Sequence, residues 1–277
     1  MNIAALQTFV AVLRAGHLNK AAAALNVTQS TVTARLDALE DALGQRLLVR
    51  SRRGAQLTRA GFAFQRHAEL MLQSWEQANK AVGLPMGYSG LLSFACHVDL
   101  WEGAGSGWIE AARRRQPELA VEVWPGEPGE IGRWLSSGLS DAALVLEPLA
   151  GPGLAARELT RERLVQVASR PRRVLRWDPD YIYVDLGPEF RRQHSRTWSG
   201  EETARVTFGL SRWALDHLLA QGGSAYLPWR LAEPRVKEGR LHPVEGAPEF
   251  SRPLHLVWRE ASLASFPWIQ EIALPAI

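Results

Sequence analysis

The chain has 277 residues, of which 46% are hydrophobic and 22% are charged, enough apolar material for two packed domains. This composition excludes a disordered protein. Its single cysteine, Cys96, excludes an internal disulfide framework and a multi-thiolate zinc site, and it fits a reducing compartment. No stretch approaches the ~18 consecutive apolar residues of a membrane helix, so we expect a cytoplasmic protein without a membrane partner.

The net charge of +3 is unevenly distributed along the chain. Up to Gly83 there are ten basic and five acidic residues, or +5, and the remainder has 22 basic and 24 acidic residues, or −2. A basic N-terminal segment joined to a near-neutral larger part is typical of a nucleic-acid-binding domain carried by a second domain. A solvated charged surface gives the same balance, so the motifs must decide between the two.

The first 44 residues predict three helices. An apolar stripe at helical spacing runs from Leu6 to Leu13 and stops before Gly16, which suits a left-handed cap. A short alanine-rich helix is predicted to begin at Asn19, a good N-cap, and a third helix is predicted to follow Thr28. Two helices joined by a tight turn, the first rich in alanine so that the second can pack closely, are typical of a helix-turn-helix.

The third helix and the segment after it carry candidate DNA contacts. Gln29 can bind adenine through two hydrogen bonds, short hydroxyls serve several bases, and Arg35 can reach a phosphate. Two short strands at 46–50 and 55–57, with arginines in the turn between them, predict a wing. Taken singly, these side chains also fit a solvated surface, but their order within sixty residues favours DNA binding. The predicted DNA-binding residues are Thr28, Gln29, Ser30, Thr33, Arg35, Arg50, Arg52 and Arg53.

Residues 58–82 contain no proline and carry apolar side chains at alternating spacings of four and three. This is the repeat of a coiled-coil seam, and its length of roughly 37 Å exceeds what a small domain can cover. The repeat therefore predicts a homodimer, and the alternative is a single helix lying on its own domain. The predicted dimerisation residues are Phe64, Ala68, Met71, Trp75, Ala78 and Val82. Residues 83–90, rich in glycine and proline, predict a hinge.

Beyond the hinge, short apolar runs alternate with helical stretches. Runs at 91–98, 119–124, 142–146, 164–169, 181–185, 204–210 and 254–258 predict strands, and 106–116, 130–137 and 211–221 predict helices. The alternation favours parallel strands with crossover helices. Open α/β sheets bind ligands at the carboxyl ends of their strands. The predicted effector-binding residues there are Asp99, Trp101, Glu127 and Glu147, whose acidic groups disfavour a simple anionic metabolite.

Enzyme motifs are incomplete. The glycine-rich run at 103–107 has Trp108 where a dinucleotide fingerprint needs glycine, and it lacks the lysine of a phosphate-binding loop. Ala104 replaces the glycine that a nucleophile elbow requires. The seven histidines are scattered without metal-binding spacing, and Cys96 lies in an apolar strand as a structural cysteine. We therefore predict no catalytic residue, no metal and no cofactor.

Several of these runs resemble the N-terminal signature of LysR-type transcriptional regulators: 9–12, 18–25, 27–32, 36–43, 47–50 and 57–61. Two residues depart from it, Leu48 where phenylalanine is usual, and Ala34 where many members carry a basic residue that touches DNA. The stretches 100–102, 181–190 and 251–254 resemble a short-chain subgroup typified by the repressor of the flagellar master operon.

The resemblance implies an α/β protein with four parts. These are a winged helix-turn-helix at 1–57, a linker helix at 58–82, the hinge at 83–90, and a two-lobed effector-binding domain at 91–277 that resembles periplasmic binding proteins. Lobe 1 is expected at about 91–147 and 245–277, and lobe 2 at about 148–244. The protein is expected to bind double-stranded promoter DNA as a homodimer or homotetramer, with a small-molecule effector.

Two alternatives stay open from the sequence. One is a repressor of the same kind that has no small-molecule effector. The other, from a different class, is a solute-binding or catalytic α/β protein whose basic N-terminus is incidental. The target operon and the direction of regulation do not follow from the residues.

Overall fold

The computed structural model describes residues 2–51, 54–175, 178–198 and 204–274. The chain divides into two units, Met1–Leu84 and Pro85–Ile277. No helix among the described residues has the length and hydropathy needed to cross a membrane.

The N-terminal unit is a winged helix-turn-helix followed by a long helix. Its elements are α1 (Ile3–Ala15), α2 (Leu18–Ala24), α3 (Gln29–Leu43), β1 (Leu48–Ser51), β2 (Gly54–Leu57) and α4 (Arg59–Val82). Strands β1 and β2 pair antiparallel. As predicted, α1 ends at a left-handed Gly16 and Thr28 caps α3. Helix α2 begins after the N-cap His17, whose backbone is extended, so the start predicted at Asn19 was two residues late.

The apolar faces of α1 and α3 form the core of this unit, and the first half of α4 joins it. Ala68 is fully buried in this core, and Phe64 and Met71 pack against it. The ring of Phe64 lies 5.6 Å from that of Phe9 on α1. Phe64, Ala68 and Met71, which the sequence predicted to face a second copy, thus contact the core of their own chain, and of these three only Ala68 is fully buried. Trp75, Ala78 and Val82 in the second half are exposed.

The C-terminal unit combines nine strands with five α-helices among the described residues. The strands are β3 (Gly90–His97), β4 (Leu119–Gly126), β5 (Ala142–Val145), β6 (Leu154–Ala168), β7 (Tyr181–Val184), β8 (Val206–Phe208), β9 (Ser224–Pro228), β10 (His242–Pro243) and β11 (Phe250–Arg259). The helices are α5 (Ser106–Arg115), α6 (Pro128–Ser137), α7 (Pro188–Thr197), α8 (Ser211–Gln221) and α9 (Trp229–Lys237).

The strands lie in the order β4-β3-β5-β11-β6-β9-β7-β8, and β10 pairs with β6. Strand β3 is parallel to β4 and β5, and β7 is parallel to β8 and β9. The long strands β6 and β11 are antiparallel to each other, an arrangement that the alternation of strands and helices did not predict. Four elements were not predicted from the sequence: α7, β9, α9 and β10.

Strands β6 and β11 run through both lobes of the unit. One core gathers residues from Leu92 to Leu159 and from Leu254 onward, whereas a second gathers residues from Leu164 to Phe250. The chain therefore crosses between lobes inside β6 and β11, later than the boundaries near 147 and 245 expected from the resemblance. The reason is that β6 is one uninterrupted strand of 15 residues.

Candidate DNA interface and inter-lobe charge cluster

The N-terminal end of α3 presents polar side chains to solvent. The Thr28 hydroxyl accepts the backbone N–H of Thr31 at 3.2 Å and lies 2.8 Å from the Ser30 hydroxyl. This capping role explains why helix α3 begins here. Gln29 and Ser30 are exposed, and Thr33 is half-buried one turn further along. Thr28 is exposed as well, but its hydroxyl holds the helix end and contacts Ser30, whereas the Gln29 amide is exposed beside them.

The arginines predicted to touch DNA have different surroundings. Arg35 is half-buried on α3. Arg52 and Arg53, which the sequence predicts in the turn of the wing, lie outside the described residues. Arg50 on β1 is paired with two carboxylates of α3, with N–O distances of 2.9 Å to Asp37 and 3.0 Å to Glu40. Its side chain is only 22% exposed. Arg50 is therefore less accessible to a phosphate than the sequence predicts, because ion pairs hold its guanidinium within the unit.

Glu40 is the buried centre of that contact. Its carboxylate accepts the backbone N–H groups of Leu47 at 2.7 Å and Leu48 at 3.0 Å, and it also accepts Arg46 at 2.9 Å. Burial raises the pKa of Glu40, but the hydrogen bonds from Leu48, Leu47 and Arg46 outweigh it and hold the pKa below its ordinary value. Glu40 therefore joins the start of the wing to helix α3 as a carboxylate. This role was not predicted from the sequence.

The wing also touches the end of α1. The N–H of Ala55 donates to the carbonyl oxygen of Gly16 at 2.8 Å. Gly54 beside it has a φ of 127°, and a Cβ at Gly54 would lie 2.6 Å from the same oxygen. Only glycine fits this approach. Strand β2 is thus bonded to the end of α1, while β1 is bonded to Glu40 on α3.

In the C-terminal unit, the predicted effector residues follow three neighbouring parallel strands. Trp101 and Asp99 come after β3, Glu127 directly follows β4, and Glu147 follows β5. Trp101, Glu127 and Glu147 are exposed. All four residues thus follow strand ends at the same edge of the sheet. Asp99 differs from the other three because it is buried.

The Asp99 carboxylate is fully engaged by the other lobe and by a crossing strand. One oxygen accepts the backbone N–H of Ser211, the first residue of α8, at 2.8 Å. The second oxygen accepts the Ser211 hydroxyl at 2.8 Å and the Arg252 guanidinium at 2.9 Å. The carboxylate of Asp99, which the sequence predicts to contact an effector, is therefore already bonded within the protein.

Arg252 on β11 lies at the centre of this cluster and is 2% exposed. It donates to Glu162 on β6 at 2.7 Å and to the carbonyl oxygen of Leu186 at 2.9 Å. Burial lowers the pKa of Arg252, but the negative charges of Glu162 and Asp99 outweigh this effect and hold the pKa above its ordinary value. The guanidinium therefore keeps its charge. Glu162, 1% exposed, is the counterion on the crossing strand.

A second arginine, Arg230 at the start of α9, extends the cluster. It pairs with Glu162 and donates to the carbonyl oxygens of Asp99 and Glu102, each at 2.5 Å. Gly103, with a φ of 81°, lets the chain pass close to this side chain, because a Cβ there would lie 3.3 Å from its Cδ. Packing against Arg230 thus explains part of the glycine-rich run. We call Asp99, Glu162, Ser211, Arg230 and Arg252 the inter-lobe cluster.

Neither redox nor metal chemistry is favoured by the described residues. Burial raises the pKa of the Cys96 thiol to about 12, which keeps it protonated and poorly reactive. No group of three or more potential metal ligands occurs in the part of the chain that the structure describes.

Two family models match the chain. The model described as a bacterial regulatory helix-turn-helix protein of the lysR family matches residues 3–62, and the LysR substrate binding domain matches residues 85–267. The first match lies in the N-terminal unit and the second in the C-terminal unit.

Similar proteins agree with these matches. The HTH-type transcriptional regulator HdfR of Salmonella typhimurium is 27% identical over 265 residues, which are 95% of this chain and 94% of that protein. The crystal structure of CbnR, a LysR family transcriptional regulator, has a TM-score of 0.77 at 21% identity and covers 100% of both chains. Full-length CbnR complexed with its target DNA has a TM-score of 0.74 at 22% identity, covering 97% and 98% of the two chains. Both structures show the fold, and the resemblance found in the sequence is confirmed. The chain belongs to the LysR family of DNA-binding transcriptional regulators.

Proposed function

We propose that this protein regulates transcription in the cytoplasm by binding operator DNA as a homodimer or homotetramer, and that it catalyses no reaction. One observation carries the DNA-reading part: Gln29 and Ser30 are exposed at the capped end of α3, while the opposite face of that helix is buried in the core. A rigid helix that presents an amide and a hydroxyl matches the donor and acceptor pattern of the major groove. Thr33 extends this face, and Arg35 contacts a phosphate.

The test is fluorescence anisotropy on an operator found by genome-wide mapping of bound DNA. Gln29→Ala should cost about 1–3 kcal/mol at the operator, because base-specific hydrogen bonds are lost, and leave affinity for random duplex nearly unchanged. Gln45→Ala, an exposed glutamine after α3, is the matched control and should change neither affinity. Equal weakening of both DNAs by Gln29→Ala would show that α3 does not read bases.

The second half of α4 is proposed as the dimer contact. Trp75 is 45% exposed and Val82 is 89% exposed, although both continue the apolar seam of the helix. Association of two copies would remove this apolar surface from water. Trp75→Glu should therefore split the dimer in sedimentation experiments, because a charge in the seam has no partner.

Two variants of the same helix sharpen this test. Gln73→Glu adds a charge at an exposed position outside the seam and should leave the dimer intact. Met71→Glu should instead lower the stability of the N-terminal unit, since Met71 packs against its core. A Trp75→Glu protein that sediments as a full dimer would place the contact elsewhere.

A small-molecule effector is the third part of the proposal. It is supported by the match of the C-terminal unit to the LysR substrate binding domain. The exposed Trp101, Glu127 and Glu147 are proposed to contact it, because they share the edge of the sheet where α/β proteins bind ligands. Thermal-shift screening of metabolites is the test, and a ligand at 100 times its Kd should add about 2.7 kcal/mol of stability. Failure of every neutral or cationic compound would favour the effector-free alternative.

A further inference from the structure

We propose that Asp99 is an internal ligand of the C-terminal unit: its carboxylate fills the anion position between the lobes, so the lobes stay joined without an external effector. This inference rests on the proposed function, because it concerns how the effector domain of a regulator is controlled. It also narrows the effector class, since an anionic effector finds this position occupied.

The first step is the geometry around the carboxylate. Helix α8 has 11 residues and starts at Ser211, whose N–H and hydroxyl both donate to Asp99, each at 2.8 Å. Arg252 donates to the same carboxylate at 2.9 Å. A helix N-terminus, a hydroxyl and a guanidinium together form a typical anion-binding arrangement. Here all three donors point at a side chain of the protein itself.

The second step is the charge balance. The cluster contains two carboxylates, Asp99 and Glu162, and two guanidinium groups, Arg230 and Arg252, and all four side chains are buried. The formal charges cancel. An anion entering from solvent would leave a buried negative charge without a partner, which is strongly unfavourable. The wild-type cluster therefore rejects anions.

The contacts of Asp99 connect the two lobes. Asp99 follows β3 in lobe 1, Ser211 begins α8 in lobe 2, and Arg252 lies on the strand that crosses between them. A second contact between the lobes runs alongside, because Arg212 on α8 pairs with Glu102 at 2.7 Å. The carboxylate of Asp99 thus does for the lobes what a bound ligand does in a two-lobed binding protein.

The experiment asks whether formate, which has the size of the removed carboxylate, restores the stability that is lost when Asp99 is replaced by alanine. Full-length Asp99→Ala should have a lower melting midpoint than wild type, and sodium formate should raise that midpoint by several degrees above sodium chloride at equal ionic strength. Wild type should gain no more from formate than from chloride. Asp216→Ala, which removes an exposed carboxylate paired with Arg212 on the same helix, is the matched control and should show no formate effect.

If Asp99→Ala does not fold, Asp99→Asn keeps the shape of the side chain and tests the charge. It should fold with a lowered midpoint and give no formate response, because the position stays filled. Formate stabilisation of wild type would overturn the inference, since the anion position would then be open. So would a folded Asp99→Ala protein that ignores formate, or an Asp99→Asn midpoint equal to that of wild type.

Anisotropy with operator DNA on the same samples distinguishes failure of the internal-ligand inference from failure of the proposed function. Wild type that binds the operator while Asp99→Ala ignores formate would sink the internal-ligand inference alone. Wild type that binds no DNA would contradict the proposed function. The formate result would still show whether Asp99 fills the anion position of the inter-lobe cluster.

Discussion

Both units of the chain bury a carboxylate that joins two elements. The two carboxylates differ in how far along the chain their hydrogen-bond partners lie. Glu40 is bonded by residues six to ten positions away, Arg46 and Arg50 among them. Asp99 is bonded by Ser211 and Arg252, which are 112 and 153 positions away. The first contact can form as soon as the helix meets the wing. The second can form only when both lobes are assembled.

The two sites also differ in access to water. Arg46, one partner of Glu40, has a side chain that is 71% exposed, whereas every charged side chain of the inter-lobe cluster is buried. Water can solvate Arg46 when its pair with Glu40 is broken. In the inter-lobe cluster, a broken ion pair leaves a charged side chain that water cannot reach. Removing one partner of a pair should therefore cost far more free energy of unfolding there.

The largest expected effect comes from Arg252→Ala. The substitution removes the cation that faces both Asp99 and Glu162, and it leaves buried carboxylates with reduced compensation. We expect a loss of about 3–5 kcal/mol in the free energy of unfolding of the C-terminal unit. Denaturant unfolding followed by tryptophan fluorescence measures it, since ten of the eleven tryptophans follow residue 100.

The matched control is Arg163→Ala. This arginine pairs with Glu249 at 2.7 Å, with 53% of its side chain exposed. Exposed pairs contribute about 0–1 kcal/mol, so the control should lose little. Similar losses for the two variants would contradict the difference in access to water.

A smaller effect is expected from Glu40→Gln. An uncharged amide weakens the hydrogen bonds to Arg46 and Arg50 while an oxygen remains for the backbone N–H groups, and we expect a loss of about 2 kcal/mol at neutral pH. Urea unfolding of the full chain, followed by the circular dichroism of its helices, measures this loss. Asp41→Asn, a change at an exposed neighbour on the same helix, is the control and should change stability little.

The pH dependence of that loss follows from the lowered pKa of Glu40. A carboxyl whose pKa is lower in the folded state stabilises the fold above its ordinary pKa of about 4.3, and this contribution disappears as pH falls through the folded value. The stability difference between wild type and Glu40→Gln should therefore shrink below about pH 4.5. A difference that stays constant down to acid would show that the charge of Glu40 is unimportant.

Local patterns predicted the N-terminal unit well. The stripe from Leu6 to Leu13, the cap at Thr28 and the left-handed Gly16 each depend on neighbours within a few residues, and all three are present in the structure. The prediction missed Glu40, although its place on the same helix face as Leu36 was a usable signal. A residue four positions along a helix from a buried one faces the same side.

The inter-lobe cluster was beyond such patterns. Asp99 was predicted from the end of a strand, but the periodicity of the chain gives no means to pair it with Ser211 or Arg252. Arg252 occupies a buried position in the alternating pattern of β11, where a charge signals a buried partner, yet nothing names that partner. The apolar spacing of α4 has a related limit, because it indicates which residues are covered and not which surface covers them.

The smallest expected effect separates the two arginines of the N-terminal unit that the sequence treated alike. Arg35 is proposed to contact a phosphate, whereas Arg50 is paired with Asp37 and Glu40 inside the unit. Arg35→Gln should reduce the slope of log affinity against log salt by about one, because one phosphate contact and its released counterions are lost. Arg50→Gln should leave that slope unchanged and lower operator affinity only through the looser wing. Anisotropy titrations at several salt concentrations measure both variants, and a reduced slope for Arg50→Gln would mean that Arg50 leaves its carboxylates to bind DNA.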